Sequence, residues 1–428
     1  MTRRLSLVLH THLPYVEGFG TWPFGEEWLW EAMATCYLPL LDVLDEYGGP
    51  PTPVTVSLTP VLADQLAAPG VPERFVKFLR GIREHSHALD AEAHPDVVPQ
   101  LEHSLHRYRR AAAAFERRAG DLVAAFAPHA TWTSAATHAV LPLLATDRGI
   151  DLQVGTGVAS HRARFGAPAG FWLPECAHAP WVLPRVEGVS CVELPGHDPR
   201  VALRAHQSLV LAPLDRALID LVWGADGYPA RAPYLDTRRF TERRHLAWSV
   251  AGDPYDPDAA REQARADAQD FADRLPEGWS VVALDTELLG HWWAEGIDWL
   301  AALIETGVEL VSLDAAYGED AAAAGELPIT TWGRDRTLAT WSGPRAQGLA
   351  WRQRAAELRV LSQARPSARA LRELLALQSS DWAFLVAEDT AGPYPLERAA
   401  GHERAIDTAS ERSEVDGPAL RNLAPFLS

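Results

Sequence analysis

Short apolar runs alternate with longer segments of helical period along most of this chain. Residues 4–9 alternate weakly, are rich in Leu and Val, and predict a first strand that stops at His10-Thr11-His12. An aromatic loop, 22–30, opens a helix running towards Leu44, and 53–58 predicts a second strand. Residues 72–126 read as a long helical tract broken near His94-Pro95. A short polar stretch, 131–137, ends at His138, and a helix is expected from Val140. The run Gly170-Phe171-Trp172-Leu173 has the character of a buried strand and stops abruptly at Pro174-Glu175. Residues 188–194 predict another strand, and 257–275 an Ala-, Asp- and Arg-rich helix. Ser280-Val281-Val282-Ala283-Leu284 then predicts a β-rich core strand delivering Asp285, followed by a helix at 299–306 and a strand at 309–313.

Strands alternating with helices predict a parallel α/β barrel. The expected division is a catalytic barrel over 1–317, holding an irregular insertion at about 203–253, and a mainly helical C-terminal domain over 318–428 that contributes to the groove. Residues 318–326 read as a flexible linker, and helices are expected at 350–361, 367–381 and 395–409. Gly155-Thr156-Gly157 has the opening of a dinucleotide turn, but Ser160 stands at the third glycine position, so that reading is set aside.

The formal net charge of −18 argues against polyanionic partners such as nucleic acid and favours a neutral ligand. Lys77 is the only lysine, which removes Schiff-base chemistry and a Walker-type phosphate loop. Cys36, Cys176 and Cys191 fit neither a disulfide framework nor a CxxC metal spacing, so reduced, buried thiols are expected. No apolar run reaches membrane-spanning length and residues 5–9 are too few for a secretory core, so the expectation is a cytoplasmic protein. Sixteen tryptophans point to ligands that are themselves half apolar, as sugar rings are.

Glu175 and Asp285 each stand where a buried strand gives way to an open rim, the place where barrel enzymes keep their chemistry. Two such carboxylates fit glycosidic bond cleavage, one attacking the anomeric carbon and one, kept protonated by a partly dry site, protonating the leaving oxygen. The bland alternative is that Glu175 caps a helix and Asp285 accepts backbone bonds in a turn. His10, His12 and His138, at strand ends, add hydrogen-bond partners for ring hydroxyls. The same HxH pair, with His138 and Asp285 as further ligands, is also how a metal-dependent barrel hydrolase begins.

His10-Thr11-His12-Leu13-Pro14-Tyr15, Ser134-Ala135-Ala136-Thr137-His138, Gly170 to Cys176, Asp285-Thr286-Glu287-Leu288-Leu289-Gly290-His291-Trp292-Trp293 and Gln378-Ser379-Ser380-Asp381-Trp382-Ala383-Phe384 resemble, in order, the signature regions of glycoside hydrolase family 57. The chain is most similar to that family's α-1,4-glucan branching enzymes. The resemblance implies a (β/α)7-type barrel, a retaining mechanism, no cofactor and no metal, Glu175 as nucleophile and Asp285 as general acid/base. It further implies an α-1,4-glucan substrate such as amylose or glycogen, with Trp22, Trp28, Tyr228, His291, Trp293, Asp381 and Trp382 beside His10, His12 and His138 along the groove. Gly227-Tyr228-Pro229 resembles part of the family's catalytic loop, but 230–252 is abbreviated, which leaves an amylase-like hydrolase or a 4-α-glucanotransferase as alternatives within the family. A non-catalytic glucan-binding protein is the remaining one. Oligomeric state is not legible.

Overall fold

The computed structural model describes residues 3–47, 53–313, 317–411, 420 and 422–427. Its strands are β1 (Arg3–Thr11), β2 (Thr55–Leu58), β3 (Ala130–Ser134), β4 (Gly170–Trp172), β5 (Gly188–Val192), β6 (Leu203–His206), β7 (Leu209–Pro213), β8 (Gly278–Asp285), β9 (Glu309–Leu310) and β10 (Ala322–Ala323). They form one sheet in the order β10-β6-β7-β5-β4-β3-β2-β1-β8, with β9 also against β1. Every pairing is parallel except β6 with β7. The sheet curls until the extension of β7 meets β8, where Asp215 N–H donates to Val281 O at 2.8 Å. That bond joins the ends of a seven-strand series, β1-β2-β3-β4-β5-β7-β8, as the expected barrel requires. Strands in such a barrel are buried on both faces, which is why β1 is buried from Leu5 onward and β2 throughout.

Helices wrap the outside, with Asp147–Phe165 and Pro257–Arg274 among the longest. The C-terminal region is helical, with Gln347–Leu361, Ala368–Leu377, Ser380–Glu388 and Tyr394–Glu411. Its apolar core includes Trp341, Val360, Leu374, Trp382 and Ile406 and takes in Val140 and Ala177 from barrel loops. The fully buried Glu357 carboxylate bolts the two parts together, accepting from the N–H groups of Ala145 and Thr146, the Thr146 hydroxyl and the Gln378 side-chain amide. No helix among the described residues is long and apolar enough to cross a membrane.

Four local expectations are corrected. The helix expected from Val140 is a single tight turn, Leu141–Leu143, which ends where Leu144 goes extended, and the true helix starts at Asp147, capped by the Thr146 hydroxyl. The insertion is regular in its first part, since 203–213 is the β6–β7 hairpin and Arg216–Trp223 a helix capped by Asp215. The stretch expected to be a linker contains β10, paired with β6, so the sheet reaches past residue 317. Alanines carry little strand preference, and only the waiting edge of β6 makes 322–323 a strand. The helix expected over 367–381 breaks at Gln378-Ser379, which puts Ser380 and Asp381 in the first turn of a new helix.

The Gly155-Thr156-Gly157 triplet lies inside the helix Asp147–Phe165, away from any nucleotide turn. A Cβ at Gly157 would stand 2.1 Å from the Ser134 carbonyl oxygen, whereas one at Gly155 would meet nothing within 4 Å. Gly157 therefore sets how closely this helix lies on β3. Gly157→Ala is expected to destabilise the fold by about 1–3 kcal/mol, while Gly155→Ala stabilises it by about 0.5–1 kcal/mol. Urea unfolding midpoints at unchanged slope would read both, and a similar shift for the two variants would refute the close-approach account.

Candidate active site

The apolar run of β4 ends at Leu173, whose extended backbone is what a following proline imposes. Beyond Pro174, Glu175 and Cys176 both take left-handed backbone, with φ of 61° and 49°. Non-glycine residues held there cost about 1–3 kcal/mol each and persist only where the surroundings fix them. The fixing partner is Trp332: its backbone N–H donates to Glu175 O at 3.0 Å and its indole N–H to Glu175 Oε2 at 2.9 Å. The other carboxylate oxygen lies 3.7 Å from His138 Nδ1. Burial raises the Glu175 pKa to about 7, against the Trp332 hydrogen bond and with Asp285 as a further raising charge. Its side chain keeps 14% of its surface open.

Asp285 closes β8, in register with His10 on β1. In the seven-strand ring, β4 and β8 are three steps apart by way of β5 and β7 and four by way of β3, β2 and β1, the widest separation a ring of seven permits. The two acids thus stand on opposite walls of the barrel mouth. Burial, then the neighbouring Glu287, raises Asp285 to about 7, although His12 pulls the other way. Among the described residues its side chain accepts no hydrogen bond, which leaves the carboxyl free to hand a proton to a ligand. Glu287 is itself raised to about 7 by burial and is pinned by the Tyr37 hydroxyl at 2.6 Å and the His12 N–H at 3.0 Å.

The floor between the acids is a stack of flat rings. His10 lies on Trp172 with centroids 4.3 Å apart, and His138 lies 4.8 Å from His10 and 4.1 Å from His12. His10 Nε2 and His138 Nε2 are 2.9 Å apart, so one donates and the other accepts. Burial, with His12 as a neighbouring charge, holds both far below the usual imidazole pKa and keeps them neutral. Burial also works against charge on His12, but Asp381, 3.0 Å from its Nε2, outweighs it and raises the pKa. Asp381 is correspondingly drawn down to about 2, His12 overcoming its burial.

His12, His138 and Asp381 bring possible metal-ligand atoms within 4.8 Å of one another, with Asp381 where the metal reading expected Asp285. The rings do not fit such a site. Both nitrogens of each ring already have partners, Thr59 and Asp381 for His12 and His10 and Ser380 for His138.

Known proteins resemble this chain along nearly its whole length. Residues 346–421 match the family model described as "1,4-alpha-glucan branching enzyme, C-terminal". A 1,4-alpha-glucan branching enzyme of Thermococcus kodakarensis is 29% identical over 94% of this chain and 72% of its own. A probable 1,4-alpha-glucan branching enzyme of Mycobacterium tuberculosis is also 29% identical, over 94% of this chain and 90% of its own. The crystal structure of a GH57-type branching enzyme from Pyrococcus horikoshii superposes with a TM-score of 0.88 at 28% identity, covering 100% of this chain and 94% of that one. Over its whole length the chain resembles the branching enzymes of glycoside hydrolase family 57.

Of the residues expected to line the site, His10, His12, His138, Glu175, Asp285 and Asp381 come together at the barrel mouth. Trp22 is exposed at the rim and reached by Arg244, while the half-buried Trp28 meets Phe24 and Tyr394 edge-on. His291 lies against the exposed Trp292, kept neutral by burial that lowers its pKa to about 4. Three expectations are corrected: Tyr228, Trp293 and Trp382 are each 1% exposed or less and have no face to offer a sugar. Tyr228 donates its hydroxyl to Asp270, Trp293 packs on Trp299 and Tyr234, and Trp382 donates to Ala376 O. They are core residues, drawn inward because packing large rings against one another removes the most apolar surface from water.

Trp332, Ser380, Glu287 and Tyr37 were missed as site residues. Ser380 and Glu287 sit inside motifs already quoted, and Ser380 donates to or accepts from His138 Nδ1 at 2.9 Å. Trp332 had only Thr330-Thr331-Trp332-Gly333, an aromatic in a polar loop, to mark it. Trp332→Phe would remove one donor from the Glu175 carboxylate. The bond lowers that pKa, so its loss raises it: the acidic limb of kcat/KM should move to higher pH, with activity near pH 6 falling about tenfold. A pH–rate profile with an unmoved acidic limb would refute this role.

Proposed function

We propose that the protein is a retaining 1,4-α-glucan branching enzyme. The observation that carries the reading is the placement of Glu175 and Asp285 on facing walls of the barrel mouth, one carboxylate held by donors and the other unbonded. The branching enzymes it resembles supply the substrate and the choice of transfer.

In this scheme the Glu175 carboxylate attacks the anomeric carbon of an α-1,4 bond, and the Asp285 carboxyl gives its proton to the departing 4-oxygen. The Trp332 and Ser380 donors favour the ionised form of Glu175, while Glu287 favours the protonated form of Asp285. Asp285, now ionised, takes the proton from the 6-hydroxyl of an acceptor chain, whose oxygen displaces Glu175 and forms an α-1,6 bond. The neutral His10–His138 pair and the charged His12–Asp381 pair offer fixed partners for hydroxyls of the ring at the cleavage point. Transfer needs water kept from the glycosyl-enzyme. The insertion beyond Gly224 is tied down by Tyr234 to Asp267 and Thr237 to the Trp292 carbonyl, and it brings Arg244 over Trp22.

Incubation of the purified protein with amylose should produce α-1,6 branch points, counted by enzymatic debranching or by anomeric proton NMR. New reducing ends without branch points would make the protein a hydrolase, and no change in the glucan would leave it a binder.

Glu175→Gln should lower turnover at least about a thousandfold, in line with removal of a covalent nucleophile. It should also change stability in a pH-dependent way. The raised pKa of Glu175 means that its ionised form is disfavoured in the fold, a cost absent below the ordinary carboxylate range and complete above about pH 7. The variant should therefore be more stable than the parent at pH 8, by on the order of 2 kcal/mol, with the difference vanishing towards pH 4. Thermal unfolding at the two pH values would read it, and a difference that grew towards acid would contradict a buried, raised Glu175.

A further inference from the structure

Beyond Trp332, which forms part of its lining, lies a groove of about 560 Å3, within the usual size of small-molecule sites, whose other lining residues take no part in the steps proposed above. The helix Arg216–Trp223 forms one wall and presents Arg216 and Asp220; the turn carrying Trp332, Arg334, Asp335 and Arg336 forms the other. Trp332 connects this groove to the reacting centre, because its indole N–H rests on Glu175 Oε2 and its ring meets Trp172 edge-on at 5.0 Å.

The lining is charged but locally balanced. Arg216 Nε bonds Asp220 at 2.7 Å, Arg334 bonds Glu388 at 2.9 Å, and Arg336 bonds the buried Glu193, one residue past β5, at 3.1 Å. With each guanidinium already matched by a carboxylate, the groove offers fixed donors and acceptors without the uncompensated positive field a phosphate would seek. A neutral ligand with many vicinal hydroxyls suits that surface, and the chain's net charge of −18 points the same way. Asp335 and Arg336 both hold left-handed backbone, φ 56° each, so the turn presenting them is set by its surroundings.

We propose that this groove is an outer glucan subsite, which holds α-1,4-linked glucose units beyond those at the cleavage point, with Arg216 donating to sugar oxygens and Asp220 and Asp335 accepting from sugar hydroxyls. The inference rests on the α-glucan reading above. It makes this side of the protein a determinant of chain length: a longer donor gains contacts here that a short one does not reach.

The test is calorimetric titration of the Glu175→Gln protein, which binds without turnover, with maltotriose, maltopentaose and maltoheptaose. Affinity should rise with length. Adding Arg216→Ala and Asp335→Gly, the latter a change that the left-handed backbone favours, should weaken maltoheptaose about tenfold and leave maltotriose unchanged. Persistence of the full gain with length in the combined variant would overturn the subsite, as would equal weakening of both sugars, which marks a general disturbance. Arg216→Gln, which keeps the helix and removes only the charge, should give the same length-selective loss in smaller measure. Failure of every sugar to bind the Glu175→Gln protein would overturn the α-glucan reading itself.

Discussion

Parallel pairing around a closed ring is the constraint from which the rest follows. When all strands of a barrel run the same way, every strand delivers its last residue to the same rim. Here β1 delivers His10 and His12, β3 leads to His138, β4 to Glu175, and β8 to Asp285. The Asp215–Val281 hydrogen bond that completes the ring turns this row of strand ends into a circle, with β4 facing β8 across it. Two carboxylates separated by 110 positions of sequence become opposing walls through strand order alone.

The helical C-terminal region then completes the floor. The break at Gln378-Ser379 puts Ser380 beside His138 and Asp381 beside His12, so two of the site's hydrogen-bonding groups arrive from outside the barrel. The buried Glu357 carboxylate and the shared apolar core around Trp382 fix that approach. Trp332, on the stretch linking the two regions, holds the backbone of Glu175 and its carboxylate at once. A strained turn at Glu175-Cys176 is tolerable because it is tied from this second direction.

Electrostatically the site divides labour between charged and uncharged groups. Burial pushes all three acids, Glu175, Asp285 and Glu287, up to about 7, well above the ordinary carboxylate range. Asp381 raises His12 against its burial, while burial, with His12 as a neighbouring charge, holds His10 and His138 far below the usual imidazole range. A cleft with so little free charge suits a neutral polymer.

Several strands could be read from the sequence alone: β1, β2, β4, β5 and β8 are local apolar runs, and the histidine or carboxylate that ends β1, β4 and β8 is in plain view, as are the five motifs. The β6–β7 hairpin, by contrast, lies in a stretch with no such local mark. Tertiary structure decided which aromatic rings meet solvent: Trp293, Trp382 and Tyr228 are core, while Trp22 and Trp292 are exposed. A tryptophan carries no mark of the side it will face, since the same large ring serves packing and sugar stacking equally. It also decided the tie from Trp332 to Glu175, 157 residues apart, and the strand at Ala322–Ala323. Those depend on a partner surface that exists only after the chain has closed, so no local preference could announce them.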